Sequence, residues 1–256
     1  MARIGRRRKT LLFFVALLVY STIVGLLLRD RYSEFVAGLD VPNTTVHVAK
    51  PTPQDDPLAL PPVVKEVPKE KDLSVPFLVQ APFGVWDELH GEACEEASLM
   101  MVKYFMNDEK FSSLQEADQE IKDLVSWQTK NGYKVDVTVS ELARIARDYY
   151  SMNGARVMES PTVEEIKTEV ASGRPVIVPA AGRLLGNPNF TAPGPPYHML
   201  VIRGYNETEF VTNDPGTRRG EGYKYKFSTI MEAMHDWNGS VNNIEQGRKA
   251  VLVFDS

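Results

Sequence analysis

Eighteen consecutive residues near the N-terminus, 11–28 (LLFFVALLVYSTIVGLLL), carry no charge and are nearly all apolar. At a helical rise of about 1.5 Å per residue they span about 27 Å, the thickness of a thin hydrocarbon layer. The hydroxyls of Tyr20, Ser21 and Thr22 can bond back to the preceding turn. Arg3, Arg6, Arg7, Arg8 and Lys9 precede the run, and Arg29 and Arg31 follow it. That bias predicts a cytoplasmic N-terminus and an extracytoplasmic remainder. Residues 1–30 are therefore expected to form a basic stub and one transmembrane signal anchor, making a single-pass membrane protein. A cleaved signal peptide is the competing reading. It needs a shorter run with small residues at the cut, whereas this run ends in Arg29-Asp30-Arg31 and Val36-Ala37-Gly38 lies some distance beyond.

The rest of the chain differs in charge. Residues 1–37 hold seven Lys/Arg and two acids, while residues 38–256 hold 22 bases and 32 acids. An acidic body offers no phosphate-binding face, so no nucleic-acid partner is expected. Between residues 31 and 73 stand Pro42, Pro51, Pro53, Pro57, Pro61, Pro62 and Pro68, with no apolar period to compete. Proline removes backbone donors and fixes φ, so this stretch reads as an extended stalk. Residues 74–256 are long enough for one domain with a sizeable core.

Within that domain, 75–80 reads as a strand. Residues 94–106 read as a helix with Ala97, Met101 and Phe105 on a buried face. A more polar helix covers 113–129. Thr138 and Glu141, then Thr162 and Glu165, have capping-box spacing and predict helices to about Tyr150 and Gly173. Strands follow at 175–180, 197–204, 210–212, 222–227 and 249–254. One helix at 229–237 interrupts them, with His235 expected on its surface face beside Asp236. Helices first and strands later is an α+β pattern with an antiparallel sheet. No G-x-G-x-x-G or phosphate loop is present, and no C-x-x-C or H-x-x-x-H spacing, so neither a nucleotide nor a metal cofactor is expected.

Cys94 is the single cysteine, which excludes a disulfide framework. An unpaired thiol outside the cell is open to oxidation and asks for a reason. Cys94 opens an apolar helix, where free N–H groups and the helix dipole stabilise a thiolate. His198 starts an apolar strand (YHMLVI) and has two ring nitrogens to offer, one for the thiol and one for an orienting group. Asp214 follows the strand FVTN and precedes Pro215-Gly216. A short 205–209 connection makes a hairpin of the two strands and brings Asp214 toward His198. Gln80, with the Cys94 backbone N–H, suits an oxyanion hole. Trp86 and His90, just upstream of Cys94, are expected to line a substrate cleft. The Gly/Pro-rich 182–196 segment, long and unstructured by pattern, is a candidate lid.

The stretches VPFLVQAPFGVWDELHGEACEEASLMMV, PYHMLVIRGY and FVTNDPG, in that order, resemble the papain-like cysteine peptidases. They are most similar to the peptidase family thirty-nine-like domains, related to bacteriocin-leader-processing peptidases. The resemblance covers residues 74–256. It implies a papain-like α+β fold and a cysteine peptidase or amide-hydrolase activity on a peptide or protein. It also implies Cys94 as nucleophile, His198 as general base, Asp214 as orienting acid and Gln80 as oxyanion donor. One departure stands out: many members follow the cysteine with Gly-Pro, whereas Glu95-Glu96 follow it here. Two carboxylates beside a thiol oppose its ionisation. A non-catalytic binding domain on the same scaffold, or a thiol acyltransferase or cell-wall amidase with the same nucleophile, stays open at this point.

Overall fold

The computed structural model describes residues 67–255. The expected membrane anchor and most of the expected stalk lie outside the described residues. Among the described residues no helix is long and apolar enough to cross a membrane.

A single antiparallel sheet organises the domain. Its strands are β1 (Lys71–Asp72), β2 (Ala155–Glu159), β3 (Val176–Ala181), β4 (Tyr197–Tyr205), β5 (Glu209–Asn213), β6 (Tyr223–Lys226) and β7 (Ala250–Phe254). They lie in the order β2-β7-β3-β4-β5-β6, and β1 pairs with the far end of β4. The helices are α1 (Glu88–Gly91), α2 (Cys94–Met106), α3 (Leu114–Lys130), α4 (Val139–Tyr150), α5 (Val163–Ala171) and α6 (Phe227–Ala233). β3 and β7 are buried at every position and β4 at all but one. Continuous apolar runs such as Met199–Ile202 suit strands covered on both faces. Helices α2 and α5 both pack against β4, so the strand carrying His198 lies against the helix that begins at Cys94.

The capping boxes are built as their spacing predicts. Thr138 accepts from the Glu141 amide and Thr162 from the Glu165 amide, and each glutamate bonds back to its threonine amide. Three expectations are corrected. Residues 75–80 form no ladder. Pro76 has no amide hydrogen to give a ladder there, and the Gln80 backbone amide donates instead to Pro215 O. The sheet instead takes in Lys71–Asp72, opposite Tyr205 and Gly204, so the domain begins before residue 74. The strand Ala155–Glu159, absent from the expected strands, is an edge strand paired only with β7. Finally, α6 ends at Ala233. Met234 then bridges to Ala180, and the His235 amide donates to Pro179 O. His235 and Asp236 are thus drawn inside rather than onto a surface face. The His235 ring bonds Gly247 O, and Asp236 accepts from the Val139 and Trp237 amides and from Arg248.

Candidate active site

Cys94 is the first residue of α2. Its predecessor Ala93 has no side chain to cap the first-turn amides. The thiol is buried, at 5% exposure. It donates to Glu95 Oε2 at 2.9 Å and accepts from the Met199 amide of β4 at 3.3 Å. Burial pushes the thiol pKa well up, the Glu95 charge and hydrogen bond add to this, and only the Met199 amide opposes it. Burial and the neighbouring carboxyl both favour the neutral thiol over the thiolate. Glu95 is held in turn by the Val137 amide, which donates to Oε1. Its own carboxyl is pushed well above the usual range by burial and by Glu96. Glu96 accepts from Gln128 Nε2 at 2.7 Å, and burial raises it to about 7.

His198 lies opposite Ala180 in the β3–β4 pair. Its Nε2 meets Asp214 Oδ1 at 2.8 Å, with both side chains almost fully buried. A hydrogen on Nε2 leaves Nδ1 as the acceptor for a proton. Asp214 sits one residue past β5, where the β4–β5 pairing carries it beside the imidazole. Oδ1 also accepts from the Gly216 amide. Oδ2 accepts from the Tyr225 hydroxyl at 2.6 Å and from Asn187 Nδ2 at 3.2 Å. Burial alone would raise this carboxyl, but the charge and hydrogen bond of His198, with Tyr225 and Gly216, hold it below the usual range. The Phe190 ring stands edge-on to His198 at 5.4 Å. Position 216 has no room for a side chain, because a Cβ would come within 2.8 Å of His198 Cε1.

Asn187, Phe190 and Tyr225 complete this arrangement, and nothing in their local sequence marks them. The 182–196 segment thereby forms a wall of the cleft. Its first residues, Gly182–Leu185, make a short 3-10 helix, and Asn187 is buried in the Asp214 network.

The remaining sequence candidates divide. Gln80 is buried at the cleft, and its Nε2 donates to His90 O at 2.9 Å and Gly91 O at 3.0 Å. A primary amide has two N–H donors, so both serve to fix the loop before α2. The Gln80 Oε1 is buried with no partner. Trp86 is half-exposed on the cleft rim. His90 is not in the cleft. It is buried, its ring lying between Asp87 Oδ1 at 2.7 Å and Asp118 Oδ1 at 2.9 Å. The Asp87 N-cap turns the imidazole inward, so the substrate-lining expectation for His90 is withdrawn. The cleft is a cavity of about 510 Å³ that takes in Gln80, Trp86, Cys94, Phe190 and His198, so the thiol and the imidazole face one space.

The model of the Peptidase_C39-like family matches residues 72–245. The chain belongs to that family. A crystal structure from Bacillus anthracis, described as a C39-like peptidase, aligns with a TM-score of 0.50 at 16% identity. The alignment covers 74% of this chain and 99% of that one, a likeness of fold. No curated protein matches the chain. Family membership agrees with the α+β architecture, and the matched span contains Gln80, Cys94, His198 and Asp214. Glu95 lies within that span as well, next to Cys94, and accepts the thiol hydrogen bond.

Proposed function

We propose that the chain is a membrane-anchored, extracytoplasmic cysteine peptidase or amide hydrolase with Cys94 as nucleophile. The observation that carries this reading is the buried His198–Asp214 pair, fixed by four hydrogen bonds to one carboxylate, opening on the same cavity as the Cys94 thiol. The membrane location rests on residues 11–28 and their flanking charges.

In the reaction, the S–H hydrogen turns from Glu95 to His198 Nδ1, which takes the proton as Sγ bonds to the substrate carbonyl carbon. The oxyanion accepts from the Cys94 amide at the start of α2. Gln80 joins it by exchanging a loop carbonyl for the oxyanion, since a hydrogen bond to a charged acceptor is roughly twice as strong as one to a neutral acceptor. The C–N bond then breaks and the leaving nitrogen takes the proton from His198. Water, losing a proton to Nδ1, attacks the thioester; its collapse releases the acid and restores the thiol. Asp214 keeps the imidazole in the productive tautomer throughout.

Iodoacetamide applied to the full-length protein near neutral pH is expected to label Cys94, and His198→Ala is expected to suppress the labelling. Equal labelling of the two proteins overturns the reading. A second reading, a non-catalytic binding domain, draws on the thiol–Glu95 hydrogen bond and on the engaged Gln80 amide. It predicts that Cys94→Ala leaves the biological activity intact.

A further inference from the structure

Part of the cleft lining is basic. Arg218 and Arg219 line the same cavity as Cys94 and His198, and both are exposed. Among the described residues neither guanidinium forms an ion pair, although residues 38–256 hold ten more acids than bases. Glu92 is the acidic residue lining the cavity, and it lies outside ion-pair distance of both arginines.

The position of Arg218 is built. Its guanidinium fills the space a side chain would take at Gly84. A Cβ there would fall 1.8 Å from Nη2 and 2.6 Å from Cζ. Gly84 has φ +70 and closes a turn through its amide to Ala81 O. That turn is tied to the arginine loop by the Gln80 amide bonding Pro215 O. The arginine loop is braced by Thr217, whose Oγ1 accepts from the Arg219 amide and whose carbonyl accepts from Gly220. A guanidinium held over a glycine, lining the cavity that holds the Cys94 thiol and without an acid partner, is arranged to receive an anion. Its planar fork matches a carboxylate in particular.

We propose that Arg218, supported by Arg219, is a substrate-recognition subsite for a carboxylate on the peptide substrate. That carboxylate is either an acidic side chain near the scissile bond or the free C-terminus. The proposal rests on the peptide-hydrolase reading for the identity of the ligand, but its test does not need turnover.

The experiment uses full-length Cys94→Ala protein and fluorescein-labelled alanine hexapeptides with Glu, Gln or Lys at the third position. Each is made as a C-terminal acid and as an amide, and binding is read by fluorescence anisotropy. Carboxylate-bearing peptides are expected to bind about fivefold more tightly than their neutral counterparts. Added Arg218→Gln removes the preference, and rising salt weakens it. Preference for Glu in the amidated peptides assigns the subsite to a side chain; preference for the acid form in the Gln peptides assigns it to the chain end. Equal affinities for charged and neutral peptides, no binding of any peptide, or a preference that survives Arg218→Gln overturns the proposal. Failure of the hydrolase reading looks different. Cys94 alkylation is then independent of His198 while the Arg218-dependent preference persists.

Discussion

At the scale of single residues, Glu95 accepts the hydrogen bond of the Cys94 thiol. Burial is the larger cause of the raised thiol pKa, and the adjacent carboxylate is the next. Glu95→Gln keeps an oxygen for the Val137 amide, turns an NH2 toward the thiol sulfur and removes the ionisable group. The pH profile of Cys94 alkylation is expected to move to lower pH, with several-fold faster labelling at pH 7. A profile unchanged from the parent shows that burial alone sets the thiol. The adjacency of Glu95 to Cys94 is plain in the sequence, and so is its opposition to the thiolate. The hydrogen bond is not, because α2 must first bring the carboxylate under the Val137 amide, 42 residues away. Residues such as Asn187 and Tyr225 were illegible for the same reason. Asparagine in a Gly/Pro-rich loop and tyrosine in a polar strand are ordinary, and only the fold puts both on Asp214.

At the scale of elements, local chemistry was readable wherever the partners are near in sequence. The 138–141 and 162–165 boxes are closed within one turn, so their hydrogen bonds need no tertiary help. Thr138→Ala is expected to cost about 1 kcal/mol in denaturant unfolding, with Thr138→Ser close to neutral. A loss well below that means that the Val139 amide, held by Asp236, anchors α4 without its cap. Elements that depend on distant partners were missed or misplaced. β2 is five residues long and exists because β7 is beside it. Residues 75–80 have strand-like composition, yet Pro76 withholds a ladder donor. The short helix α6 stops early because Met234 and His235 find hydrogen-bonding partners on β3.

At the scale of the whole molecule, two adjacent carboxyls buried in the first turn of α2 tie stability to pH. Burial lifts the folded-state pKa of Glu96 from an ordinary 4.5 to about 7. Between those values the folded protein keeps a proton that the unfolded chain has lost. Stability therefore falls as pH rises through that window. Glu96→Gln removes the ionisable group and keeps the acceptor for Gln128. The variant is expected to gain on the parent from pH 4.5 to 7 and to hold a constant lead above it, of at most about 3 kcal/mol. Thermal unfolding of both proteins across that range measures it, and parallel curves refute it.

The sequence by itself set the expectation of an anchor, a stalk and one domain. It also marked the α+β order of the domain, the helix starts and the ordered set Gln80, Cys94, His198 and Asp214. These follow from hydrophobic period, charge and short-range hydrogen bonds, which the order of residues carries directly. Only the tertiary structure decided which groups touch. It turned His90 away from the cleft and toward Asp118, engaged Gln80 with the loop before α2, and gave the thiol hydrogen to Glu95. It also set Arg218 over Gly84 at the cleft. The reason is that hydrogen bonds and desolvation act over a few ångströms, while these partners are set by how β4 and β5 pair and how α2 lies against β4.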